Sequence, residues 1–106
     1  MMSLILASVM AAGAAQAATP VEARVRRELQ AAPRPVRVFL ERRAGCNHWG
    51  GEEGYDPERV QQIADAAREL RCNQIEADER RIKNAYAKSR SVRWLLAETR
   101  NWDSIP

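Results

Sequence analysis

The chain is poor in the residues that build reactive or metal-binding centres. It has one histidine, two cysteines and one phenylalanine in 106 residues. Structural zinc sites normally show two spaced pairs of Cys or His, so a lone His48 argues against one. No apolar run approaches the ~20 residues a membrane-spanning helix needs. Strand alternation is nearly absent too. Val36-Arg37-Val38 is the one short stretch that passes for it, and no other segment offers it a partner. There are no internal repeats and no low-complexity tract beyond the alanine-rich beginning. These absences leave an all-α fold, a small bundle of three to four short helices, and no pattern of residues that calls for a cofactor.

Charge is missing from the beginning as well: no charged residue precedes Glu22. Leu4, Ile5, Leu6, Val9 and Met10 lead into the alanine-rich stretch, and Ala15-Gln16-Ala17 fits the small-x-small rule for signal-peptidase cleavage. The expectation is a signal peptide over 1–17 and a single small helical domain over 18–106, periplasmic or secreted. The n-region lacks its usual Lys or Arg, a departure that a start codon further upstream would explain. No cysteine stands just after the cleavage point, so no lipid anchor is indicated, and the mature chain is expected to have no transmembrane segment. A domain this small buries only about 60–65% of its unfolded surface, so a covalent staple matters to it. In an oxidising compartment Cys46 and Cys72 are expected to form that staple.

Helical stretches are legible along the chain. Thr19-Pro20-Val21-Glu22 reads as a capping box with proline at the first position, followed by Val21, Val25 and Leu29 in a narrow stripe that Pro33 and Pro35 end. Val36, Phe39 and Leu40 then mark a helix of about ten residues, with Gly45 as its stop. Asp56-Pro57-Glu58 opens the best-signed helix, running to about Arg71 with Val60, Ile63, Ala67 and Leu70 on one face. A fourth covers roughly Ile75 to Lys88. Asp78 and Glu79 interrupt its apolar side, as an ion-paired boundary rather than an acid/base pair. A last helix, capped by Ser89 or Ser91, reaches about Trp102, with Trp94 lying over a neighbouring helix.

Seven Arg against three Glu stand between Ala18 and Gly45, a balance of +4 against −1 for the remainder. The Arg24–Arg43 arm is thus expected to act chiefly as a solvated face, with weak attraction to an anionic surface. Nucleic acid is disfavoured by export. The segment from Asn47 to Tyr55 is the most individual part of the chain: Gly50, Gly51 and Gly54 beside Trp49, Tyr55, Glu52 and Glu53. As a displayed loop it offers an aromatic and acidic contact surface for a protein partner in the cell envelope, with Trp49, Glu52, Glu53 and Tyr55 as the contacts. The alternative is scaffold, with Trp49 buried over the helix. A metal set of His48, Glu52, Glu53 and Asp56 is the other chemistry the loop allows. Nucleophilic catalysis by Cys46 with His48 is disfavoured, because residues two apart rarely hold in-line geometry and the disulfide consumes the thiol. No catalytic residue is expected.

From Cys72 onward, the runs CNQIEADERRIKNAY and LLAETRNWD resemble the LprI-type lysozyme-inhibitor domain. Asp78, Ile82 and Tyr86 stand where that family has the Asp, Leu and Tyr of an Asp-x-Glu-Leu-Asn-x-x-Tyr run, Asp78 with a one-residue offset. Lys83 replaces the asparagine, the later cysteines are absent, and the likeness covers about a third of the chain. The stretch Cys46–Arg59 resembles small exported alphaproteobacterial proteins of no assigned function. The first resemblance implies a periplasmic helical module that inhibits a cell-wall hydrolase. The expected function is therefore an exported, non-catalytic binding protein of lysozyme-inhibitor type; the alternative is a metal- or small-ligand-binding periplasmic protein using the His48–Asp56 loop.

Overall fold

A computed structural model of the chain describes residues 18–106 and the isolated Ile5. The expected signal peptide, 1–17, otherwise lies outside the described residues. Among the described residues five α-helices follow one another: α1 (Pro20–Ala31), α2 (Arg34–Gly50), α3 (Pro57–Glu69), α4 (Ile75–Ala85) and α5 (Arg90–Glu98), with a short 3₁₀ turn over Cys72–Gln74 ahead of α4. Among the described residues there is no strand, and no helix is long and apolar enough to cross a membrane. The count exceeds the expected three to four, and Pro33, expected to end the first stripe, parts α1 from α2. It has no N–H to continue α1, and its carbonyl accepts from Val36 and Arg37 as α2 begins.

The helix starts follow local chemistry. Thr19 Oγ1 accepts from the Glu22 N–H at 3.1 Å, Asp56 from the Arg59 N–H at 2.7 Å, and Ser89 Oγ from the Val92 N–H at 3.2 Å. Ser91, the other candidate cap, bonds Glu28 of α1 instead.

The apolar core is built by three helices. Val25 and Leu29 of α1, then Ala32, meet Val36, Phe39 and Leu40 of α2 and Val92, Leu95 and Leu96 of α5, all buried. Ile75, Ile82 and Tyr86 of α4, with Trp94, Trp102 and Ile105, close over it partly exposed. Trp94 lies towards α1, its ring 3.8 Å beneath the Arg24 guanidinium. Val21, at the head of the expected α1 stripe, is exposed.

Two expectations about the middle of the chain are corrected. α2 does not stop at Gly45 but runs on to Gly50, so Asn47, His48 and Trp49 are helical, not loop. Among the described residues no glycine adopts positive φ, and Gly45 serves a different purpose. A Cβ there would sit 3.0 Å from Leu70 Cδ1, so its bare backbone lets α3 lie close against α2. α3, for all its amphipathic pattern, buries no residue fully, and Val60 is half exposed.

Ile63, Ala66, Ala67 and Leu70 are only part-buried, and covalent and polar ties add to them in holding α3. Cys46 of α2 is bonded to Cys72, with Cα atoms 5.6 Å apart. Arg42 Nε donates to the Leu70 carbonyl at 2.6 Å, and its terminal nitrogen donates to the Arg71 carbonyl at 3.2 Å. Those carbonyls end α3, where Arg71 turns left-handed (φ 51°, ψ 50°), a conformation that costs a non-glycine residue roughly 1–2 kcal/mol. The disulfide at the next residue and the Arg42 bonds hold it there.

Candidate functional site

Beyond Trp49 the chain reverses through an elbow, Gly51–Asp56, and enters α3. Gly51 closes α2 by donating to the Asn47 and His48 carbonyls, both at 3.2 Å. Arg59 then knits the two arms together. Its guanidinium donates to Glu52 at 2.8 Å and to Gln62 at 3.0 Å, and lies 5.1 Å over the Trp49 ring. His48 Nε2 sits 3.6 Å from the other Glu52 oxygen and packs edge-on to Trp49, ring centres 5.6 Å apart. Gly54 folds back on α3 so closely that a Cβ would fall 2.5 Å from Val60 Cγ2.

The four expected contact residues therefore separate into two pairs. Trp49 and Glu52 face inward, half-buried and held by Arg59. Glu53 and Tyr55 face outward, with Tyr55 76% exposed beside the half-exposed Val60. The alternative metal set, His48, Glu52, Glu53 and Asp56, is not gathered. Asp56 is engaged as the α3 cap and Glu52 by Arg59. No group of three or more His, Cys, Asp or Glu side chains placed to hold an ion occurs among the described residues. Arg59 Nε is buried without a hydrogen-bond partner.

No protein-family model, no curated protein and no solved structure matches this chain. What its surface can do follows from its own chemistry.

A polar cluster on the inner face of α2 is the feature least visible beforehand. Arg43, almost fully buried, donates to Glu79 of α4 at 2.6 Å, to the Leu96 carbonyl at 2.7 Å and to Thr99 Oγ1 at 3.0 Å; Thr99 in turn donates to the Leu95 carbonyl. Arg42 reaches Asp78 at 2.7 Å, and Asn47 donates to the carbonyls of Arg100 and Trp102, each at 2.9 Å. Arg42, Arg43 and Asn47 thereby satisfy carbonyls at the ends of α3 and α5 that have no partner within their own helices. Burial pushes the Arg43 guanidinium below its ordinary value, Glu79 opposes that shift, and the nearby Arg100 charge adds to it. The Arg42 hydrogen bond holds Asp78 below the usual carboxylate range. A signal for this cluster did exist. Arg43 and Asn47 continue the Val36, Phe39, Leu40 stripe at helical spacing, so two polar residues stood on the face predicted to be buried.

Two of the basic arm's arginines are thus turned inward, and Arg24 is engaged by Trp94 and Glu28. The −1 balance after Gly45 also conceals a segregation. Between Glu52 and Glu79 stand nine Asp or Glu and three Arg. Between Arg80 and Arg100 stand seven Lys or Arg and one Glu.

Proposed function

We propose that the protein is an exported, non-catalytic binding module that inhibits a cationic cell-wall hydrolase of lysozyme type, with the α2–α3 elbow as its contact surface. The observation that carries this reading is Tyr55, a large aromatic left 76% exposed on the elbow. The Asp56 cap, the Arg59–Glu52 pair and the Cys46–Cys72 bond hold its base, so little ordering remains to be done on binding. Tyr is among the residues enriched at interface hot spots. The surrounding carboxylates favour a basic partner. The reading assigns no catalytic residue, and export follows from the pattern of 1–17. Weak attraction to anionic surfaces through Arg26, Arg27 and Arg34 is a subsidiary part of it.

The test is binding to a basic lysozyme. Tyr55→Ala should weaken the complex by about 2 kcal/mol, the range of an interface hot spot, with the melting temperature unchanged. Glu53→Lys should slow association and reduce its salt dependence. Trp49→Ala, which removes the platform under Arg59, should lower stability as well as affinity. Failure of the native chain to bind, or full affinity in Tyr55→Ala, overturns the reading.

A further inference from the structure

The basic segment of the chain carries a groove of its own. Between α4 and α5 lies a groove of about 350 Å³ lined by Lys83, Ala87, Arg93, Leu96, Ala97 and Arg100. Arg93, Leu96 and Ala97 follow one another at i, i+3 and i+4 on α5, and Arg100 joins them from the turn just beyond its end. Ala97 and Ala87, both exposed, make the floor apolar and leave it open, with Leu96 buried beneath them. The three cations form the rim. Among the described residues none of them is ion-paired with a carboxylate, unlike Arg42, Arg43 and Arg59. Their mutual repulsion is therefore uncompensated, and Arg100 adds to it by standing near the buried Arg43.

We propose that this groove binds a single-chain amphiphile with an anionic head: a carboxylate, phosphate or sulfate on an acyl or alkyl chain. An anion relieves the repulsion among Lys83, Arg93 and Arg100, which an uncharged chain would leave in place. The floor offers only carbon, which a bare inorganic anion would leave unused, while the aliphatic stems of the three rim residues can flank a hydrocarbon chain. The size points the same way. From Arg93 to the end of α5 at Glu98 the helix rises only ~8 Å, and the volume lies at the small end of the ~300–1,000 Å³ typical of ligand pockets. A short chain fits these dimensions better than a polymer or a docked helix does. The inference is independent of the elbow.

The experiment is calorimetric titration of the purified full chain with decyl phosphate below its micellar concentration. The expected result is one molecule bound per chain, with affinity falling as salt is raised. Arg93→Gln combined with Arg100→Gln should weaken binding about tenfold or more, as expected for losing charge-assisted contacts. Ala97→Phe should do the same by filling the floor while every cation stays. Both changes are at exposed positions in α5 or just beyond it, and an unchanged melting temperature shows that each variant folds; Lys83→Gln, on α4, supplies a third if either does not. Tyr55→Ala should bind decyl phosphate as the parent does. Several results would overturn the proposal: no binding of decyl phosphate, equal binding of inorganic phosphate or decyl glucoside, or full affinity in all the groove variants. Binding to phosphatidylglycerol vesicles without binding of the monomer would overturn it too, in favour of a membrane surface.

Discussion

The half of the molecule formed by α1, α2 and α5 and the half formed by α3 and its 3₁₀ turn are held by different forces. In the first, Val25, Leu29, Val36, Phe39, Leu40, Val92, Leu95 and Leu96 exclude water from one another. In the second no residue is fully buried, and a disulfide, two arginine–carbonyl bonds and a glycine contact take the place of a core. α4 lies between the two, half-covered by apolar contact and tied by Asp78 and Glu79 to Arg42 and Arg43. The difference follows from length. A chain this small cannot supply apolar surface for five helices, so the peripheral one is joined through covalent and charged contacts. The periphery is also where the proposed contact surface sits. Its frame depends on the redox state of Cys46 and Cys72 in a way the core does not.

The link between the halves should be the most sensitive point. Arg43→Met removes the partner of a largely buried Glu79 and leaves the Leu96 carbonyl and Thr99 hydroxyl without their donor. Removing one member of such a pair typically costs about 3–5 kcal/mol, comparable with the whole stability of a small domain. Chemical denaturation should show a loss of that size, or no cooperative transition at all. A loss under about 1 kcal/mol would mean that the apolar core alone holds α4 and α5.

A smaller effect separates the peripheral ties from the core by pH. A carboxylate whose value is depressed by folding stabilises the fold fully above its unfolded value, ~3.9 for Asp, and loses that contribution as pH falls through the depressed value. Asp78 is such a group, with the Arg42 hydrogen bond as the largest cause. Asp78→Asn should therefore melt below the parent at neutral pH, and the gap should narrow as pH drops below about 4. A gap that stays constant through that range would remove the Arg42–Asp78 contact from the account.

The core half was the more legible in the sequence because its signals are periodic and local. Val25 with Leu29, Val36 with Phe39 and Leu40, and Val92 with Leu95 and Leu96 fall at helical spacing, and Thr19, Asp56 and Ser89 cap where their chemistry directs. The Cys46–Cys72 pairing followed from the chain having only two cysteines. What misled was ambiguity in residue type. Gly45 can end a helix or let a neighbour approach, and only the position of Leu70 decides between them. Val60 sits on a well-formed stripe, yet stripes state a preference for burial without guaranteeing a partner to be buried against. Arg42 and Arg43 were counted with a solvated basic face, whereas their carboxylate partners lie 36 residues further along the chain. The elbow was visible as a composition, but which of its aromatics faced outward was not. That depended on Arg59 covering Trp49 and not Tyr55.

The central claim, that α3 is held by its covalent and charged ties while the core stands on apolar burial, is tested most directly by amide hydrogen exchange on the Cys46→Ser/Cys72→Ser chain against the disulfide-bonded one. Opening a ring of 26 residues' separation should lower stability by about 3–4 kcal/mol on the chain-entropy model. The loss should not be uniform. Amides of α3 and the 3₁₀ turn should lose protection by orders of magnitude while those of Val36–Ala44 and Val92–Leu96 remain the slowest in the protein. Equal loss of protection in α3 and the core, or none in α3, would contradict the division into two differently held halves.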